Sequence, residues 1–370
     1  MDAVAGRTAL QPGLKVSHCS RIDDILAIDD KLLLSSSGRV TSWHEGSGLT
    51  SWLDKPADRL RAESLAIVST GPVGLIAAHH KLKSGQFKVQ VYAYVCTDTG
   101  VEFQEKRHVL WRWGATPTTL RWAGSILLVG TSAGSLVQDD KLDAVPTRHA
   151  TVSSLGNSHR AWVSAIIHDL GITASASGDG TVKIWTICAT SPPRCSHTLS
   201  RHHGEVRALA LGCSGTLLAS GGDDGRILLW SIASKTLMGE LRSSEGARIG
   251  TLAMCGSVLV SAGNERSDEG SNSPRILRLW DMRTRKLVAS APTEHLGNIH
   301  ATALVRAAHH GHPGHVDEYV LATGSTDGLL QVMTRSPPAW CLSLSVHGSL
   351  PFDVTSNRDP HPDPNPNLLT

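Results

Sequence analysis

Apolar residues in this chain come in short runs separated by glycine and polar breaks, and they do not repeat at the spacing of a helical face. Between positions 206 and 241 the runs are Val206–Leu211, Thr216–Ser220, Arg226–Ser231 and Thr236–Leu241. Runs of about six residues, rich in Val, Ile and Leu and bounded by Gly, Asp and Ser, predict β-strands. No stretch with a 3.6-residue apolar period is long enough to compete as a helix. Asp179-Gly180, Asp224-Gly225 and Asp327-Gly328 predict hairpin turns in which glycine takes positive φ. Four antiparallel strands cannot bury both of their faces alone, so units of this kind must stack on one another around an axis.

The same grammar repeats. His159, Val163, Ser175, Asp179 and Trp185 are echoed by His202, Val206, Ser220, Asp224 and Trp230, with the two tryptophans 45 residues apart. Strand-like runs close on equivalent slots at positions 43, 92, 139, 185, 230, 280 and 333, in steps of 45 to 53 residues. A period in the forties marks blade-repeat architectures, and the slots predict an all-β fold of seven four-stranded antiparallel blades. The expected organisation is an N-terminal extension over 1–13, the blades over 14–347, and a Pro-, Asp- and Asn-rich tail over 348–370 with too little apolar content to pack. Insertions at Lys81–Phe87 and Asn264–Ser273 fall between second and third strands and should project from one face. Arg306–His315 falls between a first and a second strand and should project from the other.

Composition narrows the function. Charged residues make up 18% of the chain and the net charge is +2, which disfavours a nucleic-acid surface built on a strong field. The seven cysteines are scattered with no C-x-x-C pair, as expected of small apolar residues in a reduced intracellular protein. No apolar run approaches a membrane span, and the N-terminus lacks a secretory layout, so a cytoplasmic or nuclear location is expected. Ten tryptophans against three Phe and three Tyr fit a structural Trp repeated once per unit.

The repeated residues resemble those of the WD40-repeat β-propeller family. In that family a His, a Ser or Thr, an Asp and a Trp form a hydrogen-bonded structural tetrad. The resemblance assigns this role to His159, Ser175, Asp179 and Trp185, and to His202, Ser220, Asp224 and Trp230. The last unit keeps His295, Thr323 and Asp327 with Met333 in the Trp slot. The first keeps His18 and Trp43 with Ser37 in the Asp slot, and the sixth keeps Trp280 with Glu245 in the His slot. Ring closure in the family often uses an N-terminal strand. Here Trp340–Val346 is the favoured outer strand of the last blade, with Thr8–Val16, which contains Pro12 and Gly13, as the competitor.

The tetrads use up the recurring Ser, His and Asp, so these are not read as a nucleophilic triad. No paired carboxylates, phosphate loop or zinc-hydrolase motif stands elsewhere. No cofactor, metal or small-molecule substrate is expected. The His309–His315 cluster, with two glycines and a proline, is read as an exposed loop before a metal site. The resemblance implies that partners dock beside the Val that follows each tetrad His by four. That selects Trp162, Ser164, Glu205, Arg207, Arg248, Asn298 and His300, with Arg21 and Asp23 around Ile22, and Asp223 on the same face. Trp162 beside an arginine has the composition of an interface hot spot. Arg283, in Trp280-Asp281-Met282-Arg283, is similar to the adaptor-contacting arginine of cullin-4 substrate receptors. The expected function is a non-enzymatic scaffold, monomeric in itself, within a stable multiprotein complex. A ribonucleoprotein with RNA contact, a ubiquitin-ligase substrate receptor and an esterase are the alternatives.

Overall fold

Each repeat unit becomes one four-stranded antiparallel sheet. In this computed structural model the described residues are 15–17, the strands of the first two sheets, 115–139, 151–152, 158–212, 215–242, 247–264, 275–293, 295–306 and 319–335. Sheet 1 is Ile22–Ile28, Lys31–Ser36, Arg39–His44 and Gly48–Ser51. Sheet 2 is Ala62–Ile67, Val73–Lys81, Phe87–Thr97 and Gly100–Leu110. Sheet 3 is Pro117–Ala123, Ile126–Thr131, Leu136–Asp139 and Thr151–Val152. Sheet 4 is Val163–Asp169, Ile172–Ser177, Thr181–Cys188 and Ser191–Ser200. Sheet 5 is Val206–Gly212, Leu217–Gly222, Arg226–Ser231 and Leu237–Arg242. Sheet 6 is Arg248–Cys255, Val258–Asn264, Arg275–Asp281 and Lys286–Pro292. Sheet 7 joins Ile299–Arg306, Tyr319–Ser325 and Leu329–Arg335 to Lys15–Ser17 from the other end of the chain.

The first strand of each sheet lies against the first strand of the next, and that of sheet 7 lies against that of sheet 1. First strands therefore surround the axis, and the architecture is an all-β antiparallel propeller with four-stranded blades. Side chains are described chiefly in five of these sheets, the third to the seventh.

The core consists of layers between neighbouring sheets. Ala174, Ala176, Val182 and Ile184 of sheet 4 pack against Val206, Leu209, Leu211, Leu218, Leu228 and Trp230 of sheet 5. Sheets 5 and 6 meet in the same way through Ile227 and Leu229 against Ile249, Leu252, Leu259 and Trp280. Both faces of the central strands are covered, so Ile126–Thr131 and Leu217–Gly222 are buried along their whole length. That explains why the apolar runs are continuous instead of alternating. Gly221 lets adjacent sheets approach closely, since a Cβ there would stand 2.5 Å from Cγ2 of Ile249.

Closure departs from the expectation. Lys15–Ser17 pairs antiparallel with the third strand of sheet 7, Val16 opposite Leu330, so the N-terminal segment supplies the outer strand. The strand starts beyond Pro12, which has no N–H to give to a ladder. Trp340–Val346, the favoured candidate, lies outside the described residues, but the edge it would have taken is occupied. The insertions at 81–87 and 264–273 join second to third strands, and 306–315 follows a first strand, so the two kinds leave from opposite faces. The His309–His315 cluster lies outside the described residues, among which no group of potential metal ligands is found. Among the described residues no helix is long and apolar enough to cross a membrane.

Candidate functional site

The two complete tetrads are present as hydrogen-bonded chains. His159 Nε2 meets Ser175 Oγ at 2.7 Å, Trp185 Nε1 donates to the same oxygen at 2.8 Å, and His159 Nδ1 meets Asp179 Oδ2 at 3.3 Å. In sheet 5, His202 Nε2 lies 2.8 Å from Ser220 Oγ, Trp230 Nε1 donates to Ser220 Oγ at 2.8 Å, and His202 Nδ1 lies 2.9 Å from Asp224 Oδ2. Burial alone would raise the Asp179 carboxyl above its ordinary range. The hydrogen bonds from His159 and Thr181 and from the amides of Arg160 and Thr181 outweigh it and hold the group far below that range. Asp224 behaves alike: burial opposes ionisation, and His202 with the His203 and Arg226 amides overcomes it. Each Asp thus ties the loop entering its own blade to the hairpin between the second and third strands. Ser175 and Ser220 are fully buried, and each hydroxyl, imidazole and carboxylate of these sets is bonded to another member.

Thr181, which the sequence pattern did not single out, donates to Asp179 Oδ1 at 2.6 Å and stands 3.0 Å from His159 Nδ1. Its place two residues after the Asp was the available signal. In sheet 6, Trp280 donates to Ser261 Oγ at 2.9 Å, so the Ser–Trp half of the tetrad survives without its His–Asp half. In sheet 7, His295 Nε2 meets Thr323 Oγ1 at 2.9 Å and Asp327 takes the Leu296 and Gly297 amides, but His295 Nδ1 to Asp327 Oδ1 widens to 3.7 Å. His18 and Glu245 lie outside the described residues, as does Ser37.

Every first strand has a β-bulge near its start. The pairing skips Asp23, Glu63, Thr118, Ser164, Arg207, Gly250 and His300 in turn. A bulge re-aims one side chain out of the pleat. In sheet 3, Thr118 Oγ1 donates to Val163 O of the next sheet at 2.6 Å, and Ser164 Oγ donates to Val206 O at 2.5 Å. Gly250 occupies the same place against sheet 7, where a Cβ would lie 2.9 Å from Ile299 O. Ser164, expected as a partner contact, is half-buried and bonds across the seam between sheets 4 and 5. Its short side chain reaches the neighbouring carbonyl.

Arg207 breaks this pattern. Its guanidinium donates to both carboxylate oxygens of Asp223, Nε to Oδ1 at 2.5 Å and Nη2 to Oδ2 at 2.9 Å, and Nη2 also reaches Glu205 Oε2 at 2.6 Å. It lies over the Trp162 indole of sheet 4, 5.7 Å from the ring centroid, a cation–π arrangement. Arg248 of sheet 6 approaches Asp223 at 4.0 Å. Arg207 thus links sheets 4 and 5, and Asp223 carries the contact on to sheet 6. Trp162 is half-buried, not fully exposed. Its indole rests on Gly178, where a Cβ would stand 2.5 Å from Nε1, and its carbonyl accepts the Gly178 amide at 3.0 Å.

The structure brings Trp162, Glu205, Arg207, Asp223 and Arg248 together. Asn298 and His300 are exposed on sheet 7, on the same face but a separate blade. Arg21 lies outside the described residues, and Asp23 has only its backbone described. Arg283 does not belong with them. It sits in the turn between the third and outer strands of sheet 6, which opens on the opposite face, with its side chain 82% exposed and its amide bound to Asp281 Oδ1 at 2.9 Å.

With this geometry in hand, the comparisons with known proteins agree with the fold. The family model "WD domain, G-beta repeat" matches residues 150–186 and 193–231, the span of sheets 4 and 5 with their entering loops. Residues 150–186 and 193–231 match WD40 repeats, and the fold is a β-propeller. No subfamily is distinguished. The chain is 38% identical over 73 residues, 20% of its own length and 6% of the relative's, to human Apoptotic protease-activating factor 1. It is 27% identical over 186 residues to Small ribosomal subunit protein RACK1y of Oryza sativa subsp. japonica, covering 48% of this chain and 49% of that one. It therefore spans half or less of the curated relatives it matches. Among solved structures, the WD40 β-propeller domain of Doa1 superposes with a TM-score of 0.61 at 15% identity, over 88% of this chain and 97% of that chain.

Proposed function

We propose that this chain is a non-enzymatic scaffold, a complete seven-bladed disc that docks partner proteins on the face bearing Trp162 and Arg207. The observation that carries the reading is the cluster across sheets 4, 5 and 6, where a half-buried indole is held between Gly178 and a guanidinium pinned by two carboxylates. A rigid, pre-formed aromatic–arginine patch gives up little entropy on binding. Rigid sheets that spend their recurring Ser, His and Asp on tetrads favour a platform over a catalyst, by analogy of fold. The kinship with a small-ribosomal-subunit protein favours an adaptor in a ribonucleoprotein complex, in which RNA contact is secondary.

Affinity purification with mass spectrometry tests this on wild type, Trp162→Ala/Arg207→Glu, and an opposite-face control, Arg283→Glu, each checked for an unchanged melting temperature. The double variant should lose a defined set of stable partners that the control keeps. An identical partner list for all three removes this face as the docking surface. The cullin-4 substrate-receptor alternative rests on the exposed Arg283. It predicts co-purification of a ubiquitin-ligase adaptor that Arg283→Ala abolishes, and fails if no adaptor is recovered.

A further inference from the structure

The docking face has an unbalanced distribution of satisfied charge. Its described carboxylates are all engaged within the protein. Asp179 and Asp224 accept bonds from their tetrad histidines and from backbone amides, while Asp223 and Glu205 are bound by Arg207. Its arginines are not. Arg160 and Arg201 are exposed, in the loops entering sheets 4 and 5, with no carboxylate within ion-pairing distance among the described residues. Arg248 is 47% exposed and reaches Asp223 only at 4.0 Å, on a carboxylate that Arg207 already occupies. Three guanidiniums on this face of adjoining blades therefore keep donor capacity unused, beside an Asp223–Glu205 pair that Arg207 already holds.

We infer that this face binds an acidic peptide segment of its partner, one that lays an apolar or aromatic side chain on Trp162 and its carboxylates on Arg160, Arg201 and Arg248. The inference rests on the docking-face reading above and adds the chemistry of the occupant. A guanidinium offers a planar pair of donors matched to a carboxylate, so it selects geometry as well as charge. The pinned Arg207 fixes the indole without competing for the ligand. A protein segment fits better than RNA, because the face offers a single indole with three cations and not a basic track interleaved with aromatic platforms.

Fluorescence anisotropy on the full chain tests it with two labelled decapeptides, one with eight glutamates flanking a central Phe-Leu pair and one with lysines in their place. At low salt the glutamate peptide should bind and the lysine peptide should not. Arg160→Glu/Arg201→Glu/Arg248→Glu should weaken the glutamate peptide at least ~10-fold and flatten its salt dependence. Trp162→Ala should weaken it with the salt slope retained. Equal binding of both peptides, or glutamate binding unaffected by the triple variant, overturns the inference. A single-stranded oligouridine that binds more tightly than the peptide and is lost in the triple variant also overturns it, in favour of nucleic acid. So does peptide binding that emerges only after Glu245, Glu265, Asp268 and Glu269 are changed to serine, because the chain's own carboxylates would then be the occupant. If partner capture depends on Trp162 and Arg207 while neither peptide binds, the docking face stands and the acidic partner falls. If capture ignores Trp162 and Arg207, the docking face itself falls.

Discussion

Ser175 Oγ accepts the Trp185 indole N–H while its hydroxyl lies against His159 Nε2, and Ser220 does the same with Trp230 and His202 in the next blade. Removing such an oxygen leaves buried polar groups unpaired, each costing roughly 1–3 kcal/mol. Ser175→Ala should therefore lower unfolding stability by about 2–4 kcal/mol in urea titration. Ser164→Ala, which loses only a hydroxyl's bond to Val206 O at a half-buried seam, should cost about 1 kcal/mol. The tetrad carboxylates also set a pH response. Asp179 is held below its ordinary 3.8 in the folded state, so its stabilisation is present above that value and drains away as the pH falls below it. Melting temperature should drop steeply below about pH 4, and Asp179→Asn should be less stable at neutral pH but show a shallower acid slope. Parallel curves for the two proteins would rule out Asp179 as a source of that slope.

At the scale of elements, the turn between the second and third strands of sheet 4 does two jobs. It presents Asp179 to its tetrad and, through Gly178, gives the Trp162 indole a place to rest. Gly178→Ala drives a Cβ into that ring, so the indole must leave its stack with Arg207. Overpacking of this kind costs about 1–3 kcal/mol. The cost should vanish in a Trp162→Ala background, where the clash has no second partner. A double-mutant cycle read by chemical unfolding checks this, and additive effects would show that Gly178 acts by other means.

At the scale of the whole molecule, closure is made by one short strand. Lys15–Ser17 covers the edge of Leu329–Arg335 through three aligned residues, the cover present among the described residues. Deleting residues 1–17 should reduce stability by roughly 1–4 kcal/mol, from two or three lost ladder bonds at about 0.5–1.5 kcal/mol each. It should also produce concentration-dependent self-association in size-exclusion chromatography, because a bare edge strand templates pairing with another copy. A monodisperse deletion variant of unchanged stability would mean that closure does not depend on this strand.

Local pattern carried much of this protein. The strands expected over 206–241 match Val206–Gly212, Leu217–Gly222, Arg226–Ser231 and Leu237–Arg242 to within about two residues, because a core layer on each face demands a continuous apolar run. The tetrads were legible because a buried His, Ser, Asp and Trp must sit at fixed offsets to satisfy one another. Other features required the packed ring. The occupant of the last outer edge depends on which terminus reaches it in three dimensions, and no local propensity encodes that. The bulge residues Ser164 and Arg207 stand at one sequence position in neighbouring blades, yet one bonds across the seam and the other turns to Asp223 and Trp162. Arg283 is assigned to the opposite face only by the alternation of hairpins along sheet 6. Sequence alone determined the repeating sheet, since its constraints lie within one blade. Which side chains gather at the surface was decided by contacts between blades, across residues far apart in the chain.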